Sequence, residues 1–348
     1  MAHKLNELSR LPEMLLPWFY ANKRELPWRV DKEPYHIWLS EIMLQQTRVE
    51  AVKGYYCRFL EKLPTVDALA QADDGLLTKL WEGLGYYSRV RNLKKAAVAV
   101  MTEHNGVFPQ SYDQVRKLPG IGDYTAGAIC SIAYDQKTPA VDGNVLRVFS
   151  RLTDNHTPID QPAMKKGVSD ALQGIYPEQA GDFTQALMEL GATVCGPNRK
   201  PDCGNCPCRE ICKGHQKQTA EQLPVRPPKK ARRQENMTVF IVQCNGLYAL
   251  QLRPKSGLLA GLWQFPNVMG RLELEGAVKT LSSMGLEVTD ILRQTEKKHI
   301  FTHVQWNMRG FYMNAKTCCS TFSWKTPDEI AKDAALPTAF RQFWEQDI

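Results

Sequence analysis

The sequence predicts a mainly α-helical domain over residues 1–215, a basic linker over 216–235, and a small α+β domain over 236–348. Three observations predict it. A chain of 348 residues suits two domains better than one. Apolar residues recur at spacings of three and four up to about residue 215. Past residue 235 the spacing switches to two, the period of a half-buried strand.

Pro34–Tyr55, Val66–Leu80, Ser88–Glu103 and Phe183–Val194 carry the helical spacing. Leu63-Pro64, Phe108-Pro109, Leu118-Pro119-Gly120 and Tyr176-Pro177 interrupt it, since proline lacks an amide donor and glycine permits turns. From Gln216 to Glu235 periodicity vanishes. Pro224, Pro227 and Pro228 stiffen this stretch, and Arg226, Lys229, Lys230, Arg232 and Arg233 make it basic. Met237–Val242 and Leu247–Leu252 flank Asn245-Gly246, a pair suited to the left-handed positions of a tight hairpin. A helical stretch near Leu272–Met284 and a strand-like stretch near Trp306–Met313 complete the second domain.

The balance of 44 Lys and Arg against 37 Asp and Glu, formally +7, permits a polyanionic partner without demanding one. No apolar run reaches the roughly 18 residues a membrane span needs. Met1 to Arg10 is polar and carries Glu7, unlike a secretory or transit peptide, so a cytoplasmic location and no membrane partner are expected.

Five of the ten cysteines crowd together: Cys195, Cys203, Cys206, Cys208 and Cys212. A disulfide framework would spread them along a short secreted chain, whereas clustering points to metal. Cys195-x7-Cys203-x2-Cys206-x5-Cys212 lacks the two well-separated pairs of zinc knuckles, and it suits either an iron–sulfur cluster or zinc. Cys208, two residues past Cys206, competes as a ligand.

Gly120 and Gly122 in Leu118-Pro119-Gly120-Ile121-Gly122-Asp123-Tyr124 precede a helix, whose first amides can hold an anion such as a DNA phosphate. A plain corner between helices is the simpler local reading. Glu41 stands in Ser40-Glu41-Ile42-Met43-Leu44-Gln45-Gln46-Thr47 with Ile37, Trp38 and Leu44 one turn away, surroundings that raise a carboxyl pKa. A solvent-facing glutamate is the simpler alternative. Asp142, in Val141-Asp142-Gly143-Asn144-Val145, reads locally as a helix N-cap.

These features occur together and in order. With Leu26-Pro27-Trp28-Arg29 and Gly83-Leu84-Gly85-Tyr86-Tyr87-Ser88-Arg89, the chain resembles the helix–hairpin–helix DNA glycosylases, and within them the MutY-type adenine DNA glycosylases. The resemblance implies a helix–hairpin–helix glycosylase domain with an iron–sulfur module, followed by a Nudix-like domain. It implies that Glu41 protonates the adenine leaving group and handles the attacking water, and that Asp142 stabilises the cationic sugar, as in two-carboxylate glycoside hydrolysis. Tyr124 and Asn144 would position them. Gln46 and Tyr86 would enter the duplex and support base flipping, with Arg29, Thr47, Leu84, Gly120 and Gly122 also at the DNA. Cys195, Cys203, Cys206 and Cys212 would hold a [4Fe–4S] cluster, and Arg199 and Lys200 would meet phosphates. The first cysteine gap is seven residues, where the bacterial family usually has six.

Ser256-Gly257-Leu258-Leu259-Ala260-Gly261-Leu262-Trp263-Gln264-Phe265-Pro266 carries the Nudix-like resemblance. Lys279-Thr280-Leu281-Ser282-Ser283-Met284 lacks the metal-binding carboxylates of Nudix hydrolases. Phe301-Thr302-His303 matches the family's Phe-Ser-His loop, which reads 8-oxoguanine, with Thr for Ser. The implied partner is double-stranded DNA holding adenine opposite 8-oxoguanine or guanine, bound by a monomer at the nucleoid. The rivals are an endonuclease III-like glycosylase and lyase, a non-catalytic metal-containing DNA-binding protein, and a Nudix hydrolase fused to a helical module. The first needs a lysine where Tyr124 stands.

Overall fold

The computed structural model describes residues 7–197, 200–228 and 231–344, so Arg199, Lys229 and Lys230 lie outside the described residues. The chain forms two compact units: Met1–Gln71 with Arg91–Pro228, and Ala72–Val90 with Lys229–Ile348. In chain order the helices up to the cysteine stretch and just past it are α1 (Leu11–Asn22), α2 (Pro34–Leu44), α3 (Val49–Lys62), α4 (Val66–Gln71), α5 (Asp74–Leu80), α6 (Ser88–Glu103), α7 (Tyr112–Lys117), α8 (Asp123–Tyr134), α9 (Gly143–Thr153), α10 (Pro162–Gln173), α11 (Ala180–Thr193) and α12 (Lys213–Gln216).

In the first unit α11 packs against α1, α8 and α9. Leu11, Leu15 and Phe19 of α1, Val145, Val148 and Phe149 of α9, and Phe183, Leu187 and Leu190 of α11 share one core. Each such side chain contributes about 1.5–3 kcal/mol on burial. The stretch Pro34–Tyr55 is two helices, not one. Gln46, between α2 and α3, takes φ 58°, a left-handed value that interrupts the hydrogen-bond ladder. Val66–Leu80 also divides, because Asp73 caps α5 by accepting from the amides of Gly75 at 2.7 Å and Leu76 at 3.2 Å. Ser88–Glu103 is α6 as expected. Part of the basic segment follows the first unit closely: Leu223 is buried, its carbonyl accepts from Arg151 Nε at 3.0 Å, and the Val225 carbonyl accepts from the Ile159 amide at 3.0 Å.

The second unit is built on a sheet of β1 (Arg233–Cys244), β2 (Leu247–Leu252), β3 (Trp263–Gln264), β4 (Asn267–Met269), β5 (Val288–Ile300), β6 (Val304–Ala315) and β7 (Ser323–Lys325). The order is β3-β2-β1-β6-β5, with β4 on β1 and β7 on β2. β1 and β2 form the expected hairpin, with Asn245 at φ 50° and Gly246 at φ 78°. β1 pairs parallel to β6, from Arg233 opposite Val304 to Gln243 opposite Asn314. Alternate residues of β1 feed two cores: Val239 and Ile241 join Phe340 and Phe343, whereas Phe240 and Val242 join Ala277 and Leu281 of α13 (Leu274–Ser283). The sheet is thus covered on both faces, on one by α13 and on the other by the chain from α14 (Pro327–Asp333) through α15 (Thr338–Arg341).

Candidate active site

Within the first unit a cleft of about 1000 Å³ gathers Glu41, Tyr124, Asp142 and Asn144 with Arg29, Gln46, Thr47, Gly120 and Gly122. Pro34 starts α2 at a position where its missing amide costs nothing. The helix then buries every residue from Ile37 to Met43, Glu41 included at 5 % exposure. Burial pushes the Glu41 carboxyl up to about 7, although the Tyr124 bond opposes the rise; the Asp142 charge adds to it and the Arg29 charge subtracts. The Tyr124 hydroxyl, on the first turn of α8, donates to Glu41 Oε2. Burial and the Glu41 and Asp142 charges hold this phenol well above its usual range, so it remains a donor.

Asp142 caps α9 as local reading expects, but both its oxygens are committed. Oδ1 accepts from the Val145 amide at 2.7 Å and Oδ2 from Asn144 Nδ2 at 2.7 Å. Burial raises this carboxyl as well, and these bonds work against the rise by favouring the ionised form. The two acids are therefore differently set: burial dominates at Glu41, whereas both oxygens of Asp142 are hydrogen-bonded.

Behind Asn144 lies a network that sequence reasoning missed. Arg147 Nη2 donates to Asn144 Oδ1 at 2.8 Å and to the Gly191 carbonyl at 2.7 Å, and its Nε donates to the Cys195 carbonyl at 2.8 Å. Arg151 Nη1 donates to Cys195 Sγ at 3.1 Å. The available signal was two arginines four residues apart on α9, a helix whose neighbouring positions Val145, Val148, Phe149 and Leu152 are core. Arg29 lines the cleft but is committed too. Its Nη2 donates to Glu189 Oε2 at 2.8 Å, and the same buried carboxylate holds Arg24. Arg226, expected in the linker, also lines the cleft.

The hairpin glycines have distinct reasons. Gly120 has φ 79°, and a Cβ there would stand 2.6 Å from Asn92 Cβ. Gly122 caps α8 in an extended conformation, and a Cβ there would meet nothing within 4 Å. The fold does not require glycine at 122. Gly122 and the first residues of α8 line the cleft.

Cys195, Cys203, Cys206 and Cys212 line one cavity, with Arg151 beside them. Among the described residues no three His, Cys, Asp or Glu side chains are gathered to hold a metal ion. Sulfurs that ring a cavity suit a cluster of several metal atoms better than one ion, and the neighbouring guanidinium offsets thiolate charge. Cys208 is fully buried and lies outside that lining. Its thiol bonds to Cys206, and that bond, with burial, holds it far above the usual thiol range. Accordingly Cys208→Ser should retain bound iron, whereas Cys203→Ser should lose it or fail to accumulate as folded protein. Iron per chain and visible absorbance check this, and bleaching by Cys208→Ser would contradict it. Lys200 pairs with Glu221 at 3.2 Å.

In the second unit Tyr86, at φ 48° and exposed, shares a 2.6 Å hydrogen bond with Thr302 Oγ1. Thr302 and His303 stand exposed in the turn between β5 and β6. The Phe301 ring packs edge-on against His299 at 4.5 Å and Trp306 at 4.8 Å, so it supports the turn. Leu84 is buried, and its carbonyl accepts from Arg89 at 2.8 Å.

Residues 39–170 match the HhH-GPD superfamily base excision DNA repair protein model, and residues 238–346 match the NUDIX domain model. The chain is 35 % identical to the adenine DNA glycosylase of Rattus norvegicus, over 94 % of this chain and 76 % of that protein. Against the Homo sapiens adenine DNA glycosylase the identity is 33 %, over 97 % and 73 % respectively. Among solved structures, a thermostable thymine-DNA glycosylase superposes with a TM-score of 0.55 at 27 % identity, covering 61 % of this chain and 98 % of that one.

Proposed function

The chain belongs to the adenine DNA glycosylases of the HhH-GPD base excision repair superfamily, and from that membership we propose that it hydrolyses the N-glycosidic bond of adenine mispaired with 8-oxoguanine or guanine in double-stranded DNA. The carrying observation is Glu41. A carboxyl buried in the cleft and pushed up to about 7 retains a proton at neutral pH for a leaving base.

Glu41 gives that proton to the adenine as the bond from the sugar breaks and its electron pair departs with the base. Asp142 faces the resulting cation as an anion, held by Val145 and Asn144. Water then adds to the sugar carbon and yields a proton to the Glu41 carboxylate, restoring the acid. Tyr124 orients Glu41 and supplies no amine, so no Schiff base forms there. Lys165, which also lines the cleft, is paired with Asp123 at 3.5 Å. This favours a monofunctional glycosylase over an endonuclease III-like lyase.

Cys195, Cys203, Cys206 and Cys212 would hold a [4Fe–4S] cluster, which when bound supplies a rigid cross-link for the loop they span. Residues 1–215 are read as the catalytic domain, 216–235 as the linker and 236–348 as the lesion reader, in which Thr302 and His303 offer a hydroxyl and an imidazole to the 8-oxo edge. Gln46, Thr47, Leu84 and Tyr86, with the Gly120 and Gly122 amides, complete the DNA contacts, and a monomer at the nucleoid is the expected form. Among the described residues no helix is long and apolar enough to cross a membrane.

The test is a duplex with adenine opposite 8-oxoguanine. The adenine strand should break only after alkali, and cleavage without alkali or borohydride trapping would favour the lyase. A further expectation follows from the Tyr124 bond, which holds the Glu41 carboxyl down. Tyr124→Phe should slow excision and move the alkaline limb of the kcat/KM profile to higher pH. A limb that stays or moves to lower pH would contradict the assignment.

A further inference from the structure

The turn that presents Tyr86 is held in an unfavourable backbone state. Gly83 at φ 98°, Gly85 at φ 70° and Tyr86 at φ 48° are all left-handed, and for a tyrosine such a value persists only where surroundings enforce it. Part of the enforcement is local. Arg89 donates to the carbonyls of Leu84 at 2.8 Å and Gly85 at 3.0 Å, and its guanidinium lies over the Trp81 and Tyr86 rings. The rest comes from the far end of the chain, within the second unit. Glu82, the residue before the turn, is 10 % exposed. Its Oε1 accepts from the Leu336 amide at 2.7 Å and pairs with Arg341, and its Oε2 pairs with Lys79 at 2.8 Å. Lys79 also reaches the Ala334 carbonyl at 3.5 Å, and α5 packs against α14.

We propose that Glu82 is a positioning residue for lesion discrimination: by clamping Arg341 and the Leu336 amide it fixes the Gly83–Tyr87 turn to the sheet unit, so that Tyr86 meets Thr302. A carboxylate with charged and amide partners, largely out of water, is a stronger anchor than an exposed ion pair. It stands beside the first left-handed residue, where a pivot would do most to move Tyr86. The 2.6 Å bond between Tyr86 and Thr302 is the contact that this anchor keeps in register. The inference rests on the reading that Thr302 reports on the lesion.

The test compares wild type, Glu82→Gln, Arg341→Gln, Thr302→Val and the double variant Glu82→Gln with Thr302→Val, all in the full chain. The readouts are the kcat/KM ratio for adenine opposite 8-oxoguanine over adenine opposite guanine, and the Tm. Glu82→Gln and Arg341→Gln should each lower the ratio by about five-fold or more. The double variant should lower it no further than Thr302→Val alone, because both act through one contact. Arg341→Gln decides the matter if Glu82→Gln does not fold. An unchanged ratio in the Glu82 and Arg341 variants, with Thr302→Val still lowering it, would overturn the positioning role and leave the lesion reading intact. Fully additive losses would also overturn it, since they would mark Glu82 as a general stabiliser. No effect of Thr302→Val would overturn the lesion reading together with the inference.

Discussion

Glu41→Gln should lower single-turnover excision of adenine by about 10²–10⁴-fold, the range for removing a positioned general acid, while leaving duplex binding near wild type. The same substitution should stabilise the protein in a pH-dependent way. Glu41 binds its proton more tightly in the folded state, at about 7 against an ordinary carboxyl value of 4.5. For a raised carboxyl the stabilising protonated form prevails at low pH and is lost as pH climbs from the unfolded value through the folded one. Ionised Glu41 therefore costs the folded state about 3 kcal/mol above that window, at about 1.4 kcal/mol per pKa unit. Denaturation of the two proteins should show the variant's advantage growing between pH 4.5 and 7 and levelling off above. An advantage independent of pH, or near-wild-type excision, would remove Glu41 from its role.

Asp142→Asn should cost a further class of stabilisation. Asparagine caps helices about as well as aspartate, so α9 and the fold should be retained within a few tenths of a kcal/mol. What the proposed mechanism would lose is a carboxylate facing the sugar cation. Removing one such electrostatic contact typically slows the chemical step by about 10²–10³-fold. Single-turnover rates at saturating enzyme, with Tm as control, measure this. A rate loss matched by a comparable fall in Tm would assign Asp142 to capping alone.

These two residues mark how far the sequence carries. Local chemistry made Glu41 a helix glutamate and Asp142 a cap. The cap is real, and the fold also brings Asp142 to one cleft with Tyr124, Asn144 and Glu41, which no local pattern shows. The α6 helix and the Asn245-Gly246 hairpin were legible because each rests on contacts within a few residues. The break at Gln46 was not: Ile42 and Val49, seven residues apart, keep the helical spacing across it, and no glycine or proline marks the left-handed residue. Nor was the parallel pairing of β1 with β6, which joins Arg233 to Val304 across an intervening helix and several strands. Arg147 and Glu189 escaped because buried charges are recognisable through their partners, and two of these, Gly191 for Arg147 and Arg29 for Glu189, lie 44 and 160 residues away. Cys208 was ambiguous by spacing, and in the fold it lies outside the cavity that the other four line.

The most direct measurement is release of free adenine from a duplex bearing adenine opposite 8-oxoguanine, followed as kcat/KM across pH. Under subsaturating conditions this profile reports ionisations of the free enzyme. Intact-base release is expected with no strand break before alkali, together with an alkaline decline with an apparent pKa near 7, set by burial of Glu41. A rate that stays level through that region while adenine is still released would show that a group other than Glu41 donates the proton.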